Sequence, residues 1–120
     1  MTTSSAKAKG RRFQQAVCKA LLEIGAEHGL EADDIKSTSM GVAGRDVLLS
    51  PAAVKVFGRL DVECKNVERL VVATTFYEHS AKYPTGLAIL AHTKNHREPL
   101  VTLHLKDFMT MLKKYVGSPQ

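Results

Sequence analysis

Three side chains in this sequence have the types and spacing for hydrolytic chemistry: Asp46, Glu63 and Lys65. Hydrolysis of a phosphodiester builds charge on the phosphoryl oxygens and needs water made nucleophilic near neutral pH. A divalent cation held by carboxylates does both. Mg²⁺ is content with one or two carboxylates plus waters and substrate phosphate. A lysine beside it can steer the water or offset developing charge. Glu63 and Lys65 lie two apart in an alternating segment, which puts them on one strand face roughly 6–7 Å apart. Asp46 precedes Glu63 by 17 positions, and the loop between them permits neighbouring strands in one sheet.

The elements that must hold these groups follow from periodicity. Residues 1–9 are small, polar and basic, and read as a flexible arm. A helix is predicted from about Gly10, with Phe13, Val17, Ala20, Leu21 and Ile24 on its apolar stripe and Gly25 or Gly29 as its stop. Arg11 and Arg12 in its first turn oppose the helix dipole, which suggests a role other than helix stability. Glu31, Asp33 and Asp34 form an acidic connection without the spacing of a calcium loop. Short strands are predicted near Ile35–Ser39 and Asp46–Leu49. Ser50-Pro51 reads as an N-cap and first helical residue. Leu60–Lys65 alternates, with Leu60, Val62 and Cys64 inward and Asp61, Glu63 and Lys65 on the other face. An amphipathic segment from Val67 to Tyr83 precedes a hairpin of Leu87–His92 and Leu100–Leu105, and Lys106–Tyr115 closes the chain as a helix. The predicted order is α-β-β-β-α-β-β-α, an α/β domain over residues 10–116 with a tail at 117–120.

With 120 residues, 44% of them hydrophobic and 24% charged, the chain has the composition of one globular domain. Its formal charge of +5 makes a polyanion the first partner to consider. No apolar run approaches bilayer length and no secretory leader is visible, so an intracellular protein without a membrane partner is expected. Cys18 and Cys64 form no metal or disulfide framework. The five histidines, among them His79, His92 and His104, make no zinc pattern and suit ordinary positions. The seven aromatics are too scattered for a single-strand-binding platform.

The segments Gly44-Arg45-Asp46-Val47-Leu48 and Asp61-Val62-Glu63-Cys64-Lys65 together resemble the PD-(D/E)XK nuclease signature, with Arg45 where proline is usual. Lys9-Gly10-Arg11-Arg12-Phe13-Gln14-Gln15 is similar to the start of archaeal Holliday-junction resolvases, and the element order is similar over about Lys9 to Tyr115. Short bacteriophage-encoded endonucleases of this superfamily are the nearest resemblance. It implies a restriction-endonuclease-like mixed central sheet flanked by helices. It also implies a DNA endonuclease dependent on Mg²⁺, with Mn²⁺ as substitute, acting as a homodimer in a bacterial or phage-infected cell with a preference for branched DNA. Asp46, Glu63 and the Cys64 carbonyl would hold the metal, and Lys65 would serve the water. Gln14 stands where resolvases carry a glutamate, an amide that can hydrogen-bond a water but adds no negative charge. A serine before the motif Asp is matched by Ser37 or Ser39.

Lys7, Lys9, Arg11 and Arg12 form a basic group suited to phosphate, joined by Arg45 and by Lys94 and Arg97 at the hairpin tip. The stripe Leu70, Ala73, Thr74, Tyr77 and Ala81 could pair with a second subunit or pack on the sheet. The alternatives are a nicking or non-specific endonuclease, and a non-catalytic DNA-binding module on the same fold.

Overall fold

The computed structural model describes residues 3–38 and 44–118. Its elements are α1 (Thr3–Ala26), a 3-10 turn (Ala32–Asp34), β1 (Ile35–Ser37), β2 (Val47–Leu49), α2 (Pro51–Phe57), β3 (Leu60–Asn66), α3 (Val72–Lys82), β4 (Leu87–Thr93), β5 (Leu100–Thr102) and α4 (Leu105–Val116). This is an α/β architecture containing a mixed sheet: β3 and β4 are parallel, and β5 runs antiparallel to β4. β1 and β2 form a separate antiparallel ribbon in which Ile35 pairs with Leu49 and Ser37 with Val47. The expected single sheet is therefore two. Three-residue strands end before a ladder can extend, and the ribbon meets β3 through side chains instead.

β4 lies between two apolar layers. Its Ala91 and Ile89 join Phe13, Cys18 and Val62 on the α1 side, while Ala88 and Leu90 pack with Phe76 on the α3 side. Burial on both faces explains the unbroken apolar run Leu87–Ala91, as expected of a parallel strand. β3 divides as its alternation predicts. Leu60, Val62 and Cys64 pack into the α1 core, and Glu63 and Lys65 face α3.

α1 begins at Thr3, so residues 3–9 are helix and not a flexible arm. Ala and Lys are strong helix formers, and extending an existing helix costs far less than nucleating one. Arg11 and Arg12 thus sit mid-helix, and the dipole conflict expected of them does not arise. The stripe also rotates: Ala20 and Ile24 are exposed, and the buried line is Phe13, Gln14 and Cys18, with Val17 and Leu21 packed beside it. α1 ends in a Schellman motif. Gly29 adopts φ +86° and donates to the Ala26 carbonyl, and the Leu30 N–H reaches the Gly25 carbonyl at 3.0 Å. Leu30 folds back over Gly25, where any side chain would strike it.

Ser50 caps α2 by accepting from the Ala53 N–H at 3.0 Å. α3 is shorter than the amphipathic segment implies and presents Phe76 and His79 to the sheet. Of the predicted stripe Leu70, Ala73, Thr74, Tyr77 and Ala81, Leu70 precedes α3 and packs on the Phe76 cluster, and the other four form the helix's solvent face. The hairpin's second strand stops at Thr102, because His104 turns away to lead α4 and sets its ring 4.8 Å from that of Phe76. α4 buries no residue. No helix among the described residues is long and apolar enough to cross a membrane.

Gly86 is held by a close approach. A Cβ there would lie 2.0 Å from Asp61 Oδ2 and 2.8 Å from the Arg59 carbonyl. Gly86→Ala should destabilise the fold by about 1–3 kcal/mol, the usual cost of overpacking, seen as a lower urea midpoint. An unchanged midpoint would show that the Asp61 neighbourhood yields freely.

Candidate active site

β3 is an edge strand, and its outer edge faces Asp46. The Cys64 N–H donates to Asp46 Oδ2 at 2.7 Å, which fixes the carboxylate beside the strand that carries Glu63 and Lys65. Lys65 Nζ stands 3.5 Å from Glu63 Oε1. The structure thus brings together the three residues singled out by type and spacing. The Asp46 carboxyl is held above its ordinary range chiefly by burial, with the negative charge of Glu63 adding to the rise. The Cys64 hydrogen bond and the Lys65 charge oppose it. Two carboxylates crowded this way gain from a cation between them.

Gln14 is nearly fully buried, and its amide nitrogen donates to the Asp46 carbonyl at 2.8 Å and the Thr38 carbonyl at 2.9 Å. It stitches α1 to both strands of the ribbon beyond their ladder, and these donors are committed to the backbone. It therefore positions Asp46, where its amide was expected to hydrogen-bond a water. Ser37 lies in β1, and Ser39 lies outside the described residues. Arg45 is also spent within the fold. It pairs with the buried Asp61 carboxylate, whose hydrogen bond raises the guanidinium's pKa, and lies 4.3 Å above the Tyr83 ring. Expected at nucleic acid, it ties the Asp46 segment to β3 through Nε while its side chain stays 38% exposed.

Compared with family models, curated proteins and solved structures, the chain matches none.

His79 is the site residue that sequence reading passed over. It is buried on α3, its Nε2–H donates to the Asp61 carbonyl at 2.6 Å, and its Nδ1 stands 3.6 Å from Glu63 Oε2. A carbonyl only accepts, so Nε2 carries the proton and Nδ1 is the atom turned to Glu63. The available signal was its spacing, three residues after Phe76 on the helix face that packs against the sheet. Together Glu63, Lys65, His79, Thr75, Glu78 and Lys82 border a cavity of about 270 Å³ between β3 and α3.

Among the described residues, no set of three His, Cys, Asp or Glu side chains is arranged around a common metal position. Two hard oxygen donors with waters and substrate suffice for Mg²⁺, so Asp46 and Glu63 fit that ion and not zinc. His92 is absorbed elsewhere, bonding Thr102 Oγ1 at 3.0 Å, and burial lowers its pKa. His104 packs edge-to-face against Phe76.

The remaining basic residues fall into two groups. Lys7, Arg11 and Arg12 are exposed along α1. Lys9 and Arg12 border one cleft of about 440 Å³ together with Lys94 and Arg97 of the hairpin tip, so α1 and the tip meet there.

Two outcomes follow from the electrostatics. Because folding raises the Asp46 pKa, its ionisation favours the unfolded chain: stability falls as pH rises from the ordinary value of 3.8 through the raised folded value. Asp46→Asn keeps an acceptor for the Cys64 N–H and removes the charge. It should raise the urea midpoint at pH 7, with the advantage vanishing below pH 3.8; a lower midpoint at pH 7 would refute this. Burial, followed by the Asp46 charge, pushes the Cys18 thiol up to about 11 and raises Cys64 further. Iodoacetamide at pH 8 should therefore label both slowly in native protein and quickly in urea, by mass spectrometry.

Proposed function

We propose that this protein is a metal-dependent DNA endonuclease with a restriction-endonuclease-like fold of the PD-(D/E)XK type. The observation that carries the reading is the Asp46 carboxylate bound to the Cys64 N–H, beside Glu63 and Lys65. Asp46 and Glu63, with the Cys64 carbonyl, would hold Mg²⁺ or Mn²⁺. Bound metal supplies charge to polarise the phosphate and acidify water. Lys65 orients the attacking water and offsets charge on the phosphoryl oxygens. Gln14 fixes the Asp46 backbone, and His79 stands behind Glu63 with Nδ1 3.6 Å from its carboxylate. Water attacks phosphorus in line, the bond to the 3′ oxygen breaks, and the products carry 5′ phosphates.

Branched DNA is the proposed substrate and a homodimer the proposed active form, inside a bacterial or phage-infected cell. The exposed apolar face of α4, with Leu105, Phe108, Met109 and Leu112, offers a surface for the second copy.

Linear, nicked and four-way DNA incubated with Mg²⁺ or Mn²⁺ should be tested in parallel. Symmetric paired cuts in the four-way substrate are expected, and Lys65→Met should slow them by about 10²–10³, the usual effect of removing one transition-state interaction. Asp46→Asn should abolish cleavage while leaving DNA affinity intact. Cleavage of linear DNA alone would indicate a non-selective nuclease. DNA binding without cleavage of any substrate would overturn the enzyme in favour of a binding module.

A further inference from the structure

We propose that the cleft between α1 and the hairpin tip is a phosphate clamp that grips the DNA backbone away from the bond being cut. Lys9 is only 7% exposed. A lysine whose stem is already packed loses little rotamer freedom when its ammonium meets an anion. Lys9 borders this cleft, with Arg12 from the next turn of α1 and Lys94 and Arg97 from the tip. Among the described residues, no carboxylate lines it. The nearby Glu68 is turned to bracing the tip, accepting from the Asn95 N–H at 2.9 Å. Asn66 also lines the cleft; its Oδ1 only accepts, so the group it offers an anion is the side-chain NH₂. A compact, all-cationic recess with amide and hydroxyl groups on its rim matches a tetrahedral dianion or a phosphodiester.

The fold says which of these it takes. Asn66 directly follows Lys65 on β3, about 3.3 Å further along the strand, and consecutive strand residues point to opposite faces. The clamp and the Glu63–Lys65 cavity therefore flank the same end of β3. A chain of linked phosphates crossing that strand end engages both, whereas an isolated phosphate engages only one. Lys7 and Arg11, exposed on the same helix, extend the track. The clamp rests on the nuclease reading only for its purpose; its ligand is read from its own residues.

The full-length Asp46→Asn protein, in EDTA so that nothing is cut, should be titrated with fluorescently labelled duplex and four-way DNA across a salt series. Lys9→Met and the pair Arg12→Gln/Arg97→Gln should each weaken binding about tenfold or more. The slope of log affinity against log salt should flatten by about 0.9 for each phosphate that is no longer neutralised. Lys9→Met should leave the urea midpoint unchanged, whereas a residue needed merely for folding would lower it. Inorganic phosphate, at constant ionic strength, separates the sources. If it stabilises the wild type while the variants keep full DNA affinity, the cleft takes free phosphate and the proposal fails. If DNA affinity and salt slope are unchanged in every variant, it also fails, even where the wild type cleaves DNA. If wild type never cleaves yet these variants lose binding, the nuclease reading falls and the clamp stands.

Discussion

The hydrogen bond from the Cys64 N–H to Asp46 Oδ2 ties the β1–β2 ribbon to the edge of the mixed sheet. The β1–β2 ribbon and the mixed sheet share no backbone ladder, so their relative placement depends on side chains crossing the gap. Asp46 crosses it from one direction. Gln14 secures the same segment from α1, through the Asp46 and Thr38 carbonyls. Arg45 repeats the arrangement one residue earlier by pairing with Asp61 of β3. Structural anchoring and the placement of a charged group are thus one interaction, and disturbing its geometry would loosen the ribbon and scatter the site together.

That arrangement opposes two requirements. Burial and the neighbouring Glu63 make the Asp46 carboxylate unfavourable, and the Cys64 N–H and Lys65 only partly offset this. Carboxyl groups perturbed in this way occur at functional sites and in structural ion-pair networks alike. The cleft beside Asn66 shows the inverse condition, with cations gathered and no acid among its described lining residues. The two regions flank the end of one strand and differ in charge: carboxylates with Lys65 on one side and, among the described residues, cations without an acid on the other.

Much of the fold was legible because local chemistry dictated it. The alternation of Leu60–Lys65, the Ser50-Pro51 cap and the apolar run of β4 each follow from a period or a capping preference, and each element formed near its expected place. Boundaries fared less well. α1 reached back to Thr3 since helix extension needs only propensity, and α3 turned its predicted stripe outward because Phe76 and His79 fit the sheet better. The residues misread were polar ones drawn into the fold. Gln14, Arg45 and His79 find their partners on distant segments, which no local period announces.

By itself the sequence determined that β3 would present Glu63 and Lys65 on one face, because strand geometry alternates whatever surrounds it. It also determined that an acid would open a neighbouring short strand. Only tertiary structure decided that Asp46 would reach β3 by hydrogen-bonding its edge rather than by sharing a sheet, that His79 would stand behind Glu63, and that α1 and the hairpin tip would enclose Lys9. Those outcomes depend on which surfaces meet, and desolvation acts on groups only after the chain has closed around them.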